Sequence, residues 1–209
     1  DKLTGLRNRR FFDRQLYAEV ARAVGSHFLS LILLDLDGFK IANDTYGHAT
    51  GDLVLKDFGA IFSGFIRKND CAARVGGDEF GIILPETDAA GAAAIAQRII
   101  EETVDHIFQT VDDQPIEGII RVSCGVAAYP AHLTGDPHGF GGCRENSGMD
   151  HATEDSADPE FLHSHLFNLA DAALYAAKDL GKGRVVCAGD LPENDCARHI
   201  VVKPKASAE

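Results

Sequence analysis

The chain has 209 residues, 45% hydrophobic and 25% charged, which is the size of one globular domain with room for an insertion. No apolar run approaches the roughly 20 residues of a membrane-spanning helix, and Asp1 opens into structured-looking sequence with no signal peptide, so the segment reads as an excised soluble module. A net charge of -12 argues against a surface that coats nucleic acid; any bound phosphate has to be held by a metal or a local basic cluster. Five cysteines without a C-x-x-C pair point to a reduced, cytoplasmic protein.

In chain order, Phe11, Phe12, Leu16, Val20 and Val24 recur at helical spacing, predicting a helix over 7–24. The apolar run 28–36 predicts a buried strand, and Val54, Phe58, Ile61, Phe62 and Phe65 predict a second helix over 50–66. Strands near 71–75 and 79–84 flank the glycine-containing turn Gly76-Gly77-Asp78-Glu79 as a hairpin that stops at Pro85. An alanine-rich helix over 89–105, a strand over 117–129, a helix over 166–180 and a last strand over 183–188 complete the pattern. This order predicts an α+β fold, helices packed on a mostly antiparallel central sheet.

Residues 131–165 break the pattern, with seven acids against one arginine, five histidines and Cys143, and read as a flexible insertion. The spacing of His132, His138, Cys143, His151, His163 and His165 fits no familiar zinc pattern. The domain is thus placed at 1–190, with 191–209 a disordered tail.

The chemistry concentrates at two acid pairs. Asp35 and Asp37 share a face of one strand, where an acid ending an apolar run is costly unless it is hydrogen-bonded or bound to a cation. Asp78 and Glu79 sit at a turn where glycine permits close approach of backbone. If the two strands are neighbours the acids converge, and hard oxygens suit Mg²⁺ or Mn²⁺ bridging to phosphate. The plainer alternative is a polar turn, with Asp35 capping the next segment.

Three further stretches make the pattern specific: DKLTGLRNRR at 1–10, DLDGFKIANDTYGH at 35–48 and ADAALYAAK at 170–178, with GGDEF at 76–80 among them. Together they resemble the GGDEF family of diguanylate cyclases, over nearly the whole chain apart from the insertion and the tail. The resemblance implies a fold like the nucleotidyl-cyclase and polymerase palm (ferredoxin-like), and condensation of two GTP into cyclic di-GMP with release of two pyrophosphates. It implies Mg²⁺ or Mn²⁺ held by the Asp35 and Asp78 side chains and the Leu36 carbonyl, with Glu79 beside the metal as a ligand or helping to deprotonate the attacking hydroxyl.

By the same resemblance, Asn43 and Asp52 read guanine, and an aspartate at 52 favours GTP, since relatives that accept adenine carry a smaller residue there. Phe39 and His48 belong to the same substrate-binding set, and Lys40, Lys178 and Lys182 meet the phosphates. Lys182 departs from the family, which usually has arginine in its place; lysine brings a point charge without the bidentate fork. Arg67 and Asp70 match the family's product-inhibition site, with Arg98 contributing from another surface. Catalysis implies a twofold homodimer, one GTP per subunit, with an upstream sensory or coiled-coil segment cut away and any membrane anchoring left to it. The competing reading is a catalytically weak GGDEF domain that acts as a GTP or cyclic di-GMP receptor.

Overall fold

A computed structural model describes residues 1–24, 27–132 and 158–191. The body of the expected insertion, with His138, Cys143 and His151, and the tail beyond 191 lie outside the described residues. The elements are β1 (Arg7–Asn8), α1 (Arg9–Ala23), β2 (Leu29–Asp37), α2 (Phe39–Tyr46), α3 (His48–Ser63), β3 (Cys71–Arg74), β4 (Glu79–Pro85), α4 (Ala89–Asp105), β5 (Phe108–Gln109), β6 (Pro115–Ile116), β7 (Arg121–Tyr129), α5 (Pro159–Asp179) and β8 (Val185–Cys187).

The starts of α1, α4 and α5 follow capping chemistry. The Asn8 side chain accepts from the Phe11 amide at 3.0 Å, Asp88 from Gly91 at 2.8 Å and Asp158 from Glu160 at 3.0 Å, each satisfying a donor that the first turn leaves without an intrahelical partner. Asp158 and the following Pro159 start α5 seven residues earlier than the apolar spacing suggests, so 159–165 of the expected insertion are helical.

Six strands form one sheet in the order β1-β3-β4-β2-β7-β8. β2 lies at its centre, antiparallel to both β4 and β7, β3 pairs antiparallel with β4, and only the two edge pairs are parallel. The α+β expectation with a mostly antiparallel sheet therefore holds. Because side chains alternate along a strand, β2 divides its residues between two layers. Leu29, Leu31 and Leu33 pack with Phe12, Leu16, Leu166 and Leu174 of α1 and α5, while Ile32, Leu34 and Leu36 pack with Val54, Phe58, Phe62 and Ile99 of α3 and α4. Both faces are covered, which is why β2 reads as a continuous apolar run rather than an alternating one.

The alternation also places the acids. Asp35 and Asp37 continue the odd-numbered set, so they emerge toward α5 where that layer reaches the end of the sheet. Packing between α5 and β7 is close enough that a Cβ on Gly125 would collide with the Ala170 carbonyl and the Leu174 amide.

Four elements escaped the sequence reading. α2 buries only Ala42, so it carries no apolar stripe to find. β5 and β6 are a two-residue hairpin, and β1 takes the first two positions assigned to α1. β7 begins at Arg121 rather than at 117, because the segment before it carries that small hairpin and the turn after it.

Candidate active site

The site is built at the end of β2, where the β4 turn, the α2–α3 pair and the end of α5 meet the sheet. Asp35 stands directly opposite Glu79 in the β2–β4 register, and the Leu36 amide donates to the Asp78 carbonyl at 3.1 Å. The convergence of Asp35 with the Gly76-Gly77-Asp78-Glu79 turn, expected only if the strands were neighbours, is thus set by strand pairing. The alternative of Asp35 as a plain cap for the next segment is not what forms: α2 starts at Gly38 without a side-chain cap.

Asp35 is 13% exposed and its carboxylate pairs with the Lys178 ammonium at 2.7 Å. Burial raises its proton affinity above the ordinary carboxylate value; Lys178 opposes that shift, and the nearby Asp78 and Asp37 charges reinforce it. The Asp35 site is therefore short of positive charge even with one lysine beside it. Among the described residues no group of three or more His, Cys, Asp or Glu side chains stands close enough to cage a metal alone. A cation of the Mg²⁺ class does not need one, since it is commonly held by one or two carboxylates together with backbone oxygens, water and substrate phosphates. The oxygen-only donor set of Asp35, Asp78, Glu79 and the Leu36 carbonyl fits such an ion.

The two glycines of the turn do different work. A Cβ on Gly76 would collide with the Glu79 carboxylate, so Gly76 makes room for that acid, whereas Gly77 has open space around it. The turn is closed by the Glu79 carbonyl, which accepts from Val75 at 2.9 Å and from Gly76 at 3.1 Å. Arg74 was not singled out from sequence and turns out to be part of this turn. Its Nε and Nη2 donate to the Gly77 carbonyl at 3.0 and 2.7 Å, and its Nη1 lies 3.5 Å from Asp1 Oδ1. The only sequence signal was its place two residues before the glycine pair.

The expected base-reading residues come together through backbone thinness. A Cβ on Gly51 would strike the Asn43 side-chain amide, so Asn43 on α2 leans onto α3 beside Asp52, which is exposed on the next residue. His48 is exposed at the first residue of α3 and Lys40 is exposed on α2, while Phe39 is half-buried and packs on the core beneath. Lys182 is exposed in the segment between α5 and β8, and Lys178 is engaged by Asp35.

The residues expected at a second site lie away from this one. Asp70 accepts from the Arg67 amide at 2.8 Å and its proton affinity is raised by burial, against the lowering effect of Arg67. The Arg67 side chain is exposed, and Arg98 lies over the Phe65 ring at 5.0 Å to its centroid. Asp70 also lines a groove of about 660 Å³ with Arg7, Phe11 and Lys68.

Comparison with known proteins agrees with this architecture. A family model described as "Diguanylate cyclase, GGDEF domain" matches residues 1–138. The probable diguanylate cyclase DgcT of Escherichia coli K12 is 32% identical over 186 residues, 89% of this chain and 35% of DgcT. The crystallised GGDEF domain of DgcB from Caulobacter crescentus, in complex with c-di-GMP, superposes with a TM-score of 0.71 at 31% identity, covering 90% of this chain and 94% of that one. The GGDEF domain of a shortened YfiN from Pseudomonas aeruginosa gives a TM-score of 0.73 at 30% identity, over 95% of this chain and 97% of that one. The chain belongs to the GGDEF-domain family of diguanylate cyclases. It spans less than half the length of the curated relatives it matches.

Proposed function

We propose that this domain condenses two GTP molecules into cyclic di-GMP, with one nucleotide on each subunit of a twofold dimer. The observation that carries the reading is Asp35: a carboxylate 13% exposed at the end of the central strand, opposite Glu79, and short of positive charge.

In each of the two steps a ribose 3'-hydroxyl oxygen bonds to the α-phosphorus of the other GTP, the α–β anhydride bond breaks, pyrophosphate leaves and the hydroxyl proton passes to a base. Glu79, exposed beside Asp35, is the base or its partner. A Mg²⁺ or Mn²⁺ ion held by Asp35, Asp78 and the Leu36 carbonyl, when bound, neutralises phosphate charge and orients the reacting oxygens. Asp52 accepts from the guanine N1–H and exocyclic amine, and the Asn43 amide meets the remaining edge. Lys40, Lys178 and Lys182 receive the terminal phosphates. Displacement of Lys178 from Asp35 toward the triphosphate frees the carboxylate as charge arrives. Facing subunits supply the proximity that makes the first step effectively unimolecular and hold the joined intermediate for ring closure.

Arg67 and Asp70, with Arg98, form the site where product returns to inhibit. A guanidinium there offers a bidentate grip on phosphate or guanine, and Asp70 an acceptor for a guanine edge.

The test is incubation of the concentrated domain with GTP and Mg²⁺ or Mn²⁺, with cyclic di-GMP read by mass spectrometry. Wild type is expected to form product and Asp78→Ala none. Absence of product from an artificially dimerised domain that still binds GTP overturns the cyclase reading in favour of a nucleotide receptor.

A further inference from the structure

Asp37 is the last residue of β2 and is 6% exposed, yet no lysine or arginine of the described residues forms an ion pair with it. A buried carboxylate without a cation needs donors, and all those it has lead to one place. Ser123 Oγ on β7 donates to Asp37 Oδ2 at 2.6 Å, and the Gly183 amide reaches both Asp37 Oδ2 at 3.2 Å and Ser123 Oγ at 3.1 Å. Asp35, two residues back on the same face, holds Lys178. The two acids of β2 therefore hold the last turn of α5 and the segment that follows it, Asp35 through the Lys178 ammonium and Asp37 through the Gly183 amide.

The segment so held is unusual. Gly181, Lys182 and Gly183 have φ of 108°, 64° and 58°, three consecutive residues in the left-handed region, and the middle one is a lysine. A side chain with a Cβ stays there only when its surroundings impose it. The Lys182 amide is fixed by the Ala177 carbonyl at 3.0 Å on one side, and Gly183 by Asp37 and Ser123 on the other. The direction of the Lys182 side chain is thereby set by backbone that Asp37 anchors. A lysine cannot lock itself onto phosphate with a rigid fork as arginine does, so the placement of its stem matters more.

We infer that Asp37 and Ser123 are a positioning pair that holds Lys182 toward the terminal phosphates of the bound nucleotide; the inference rests on the function proposed above. Asp37 touches neither substrate nor metal in this role and acts through the 181–183 turn.

The experiment is titration calorimetry on the full chain with a non-hydrolysable GTP analogue and with GMP, which lacks the terminal phosphates. The proteins are wild type, Asp37→Ala, Asp37→Asn, Ser123→Ala, Lys182→Ala and the Asp37→Ala/Lys182→Ala pair. Asp37→Ala is expected to weaken the analogue about tenfold while GMP changes less than about twofold, as for loss of a hydrogen bond to a charged group that supports one end of the ligand. Ser123→Ala, which keeps the carboxylate, gives a smaller loss of the same selectivity. Asp37→Asn recovers most of the affinity through its amide oxygen. Adding Lys182→Ala to Asp37→Ala costs less than about twofold more, the non-additivity of two residues acting as one.

Equal loss of GMP and analogue would mean a general structural role and overturn the inference, and so would additive losses. Wild-type binding of both ligands with Asp37→Ala indistinguishable from it defeats the inference alone. Failure of wild type to bind either ligand removes the functional reading and the inference together.

Discussion

Asp35 stands where the sheet and α5 leave it little water, and Lys178 does not fully offset the rise in proton affinity that burial causes. A group that holds its proton more tightly folded than unfolded stabilises the fold at low pH, and that contribution is lost as pH rises through the folded value. At neutral pH the charge on Asp35 is therefore a cost to the ligand-free fold. Asp35→Asn is expected to raise the thermal midpoint at pH 7.5 in metal-free buffer by about 2 °C while abolishing turnover, with the gap closing toward pH 4. A lower midpoint for the variant at pH 7.5 would show that the Lys178 pair outweighs burial. His163 has the opposite sign: burial lowers its proton affinity from the ordinary 6.5, and its buried Nε2 has no hydrogen-bond partner. It lies among Arg9, Asp13, Tyr17 and Glu160, and protonation is favoured more in the unfolded chain. Stability should fall as pH drops below 6.5. Denaturant melts at pH 7.5 and 5.5 check this, and His163→Gln should reduce the difference between them.

At the scale of elements, the domain depends on how closely α5 lies on β7. Gly125 has no room for a Cβ because the Ala170 carbonyl and Leu174 amide occupy that space, and backbone cannot move aside as a side chain can. Gly125→Ala is expected to cost about 3 kcal/mol in urea unfolding. It should also lower turnover, since α5 carries Lys178 and leads into Lys182; a change within 0.5 kcal/mol, as at an ordinary surface position, would mean that α5 is free to shift. The elements legible in the sequence were those with a strong apolar period. α1, α3 and α4 each bury a helical stripe, and β2 is apolar on both faces. α2 was not legible because a helix that buries only Ala42 and leaves Lys40 and Ile41 exposed has no stripe. The start of α5 was hidden for another reason: Asp158 and Pro159 announce a helix, but they stand in acidic, histidine-rich sequence that reads as loop.

Over the whole molecule, the proposed chemistry needs two copies, so the rate per subunit should rise with protein concentration and level off once dimers dominate. A concentration-independent rate per subunit in the dilute range would contradict that requirement. The proposed product inhibition, at a surface away from the Gly76-Gly77-Asp78-Glu79 turn, would be a coupling between sites, and Arg67→Ala should raise the cyclic di-GMP concentration for half-inhibition at least tenfold; an unchanged value would remove Arg67 from that site. What the sequence determined by itself was local or carried by motif: the apolar stripes, the glycine-flanked turn, and the set of residues at 1–10, 35–48, 76–80 and 170–178 that marks the family. What only the tertiary structure decided is which partners each acid meets. Asp35 and Asp37 are equivalent in the sequence, two carboxylates one strand repeat apart, and they part company because one meets Lys178 and the other meets Ser123 and Gly183. Those partners lie 86 and 146 residues along the chain from Asp37, and only the pairing of β2 with β7 and the return of α5 across the sheet brings them there. A side chain's surroundings depend on register between distant strands, which no local periodicity encodes.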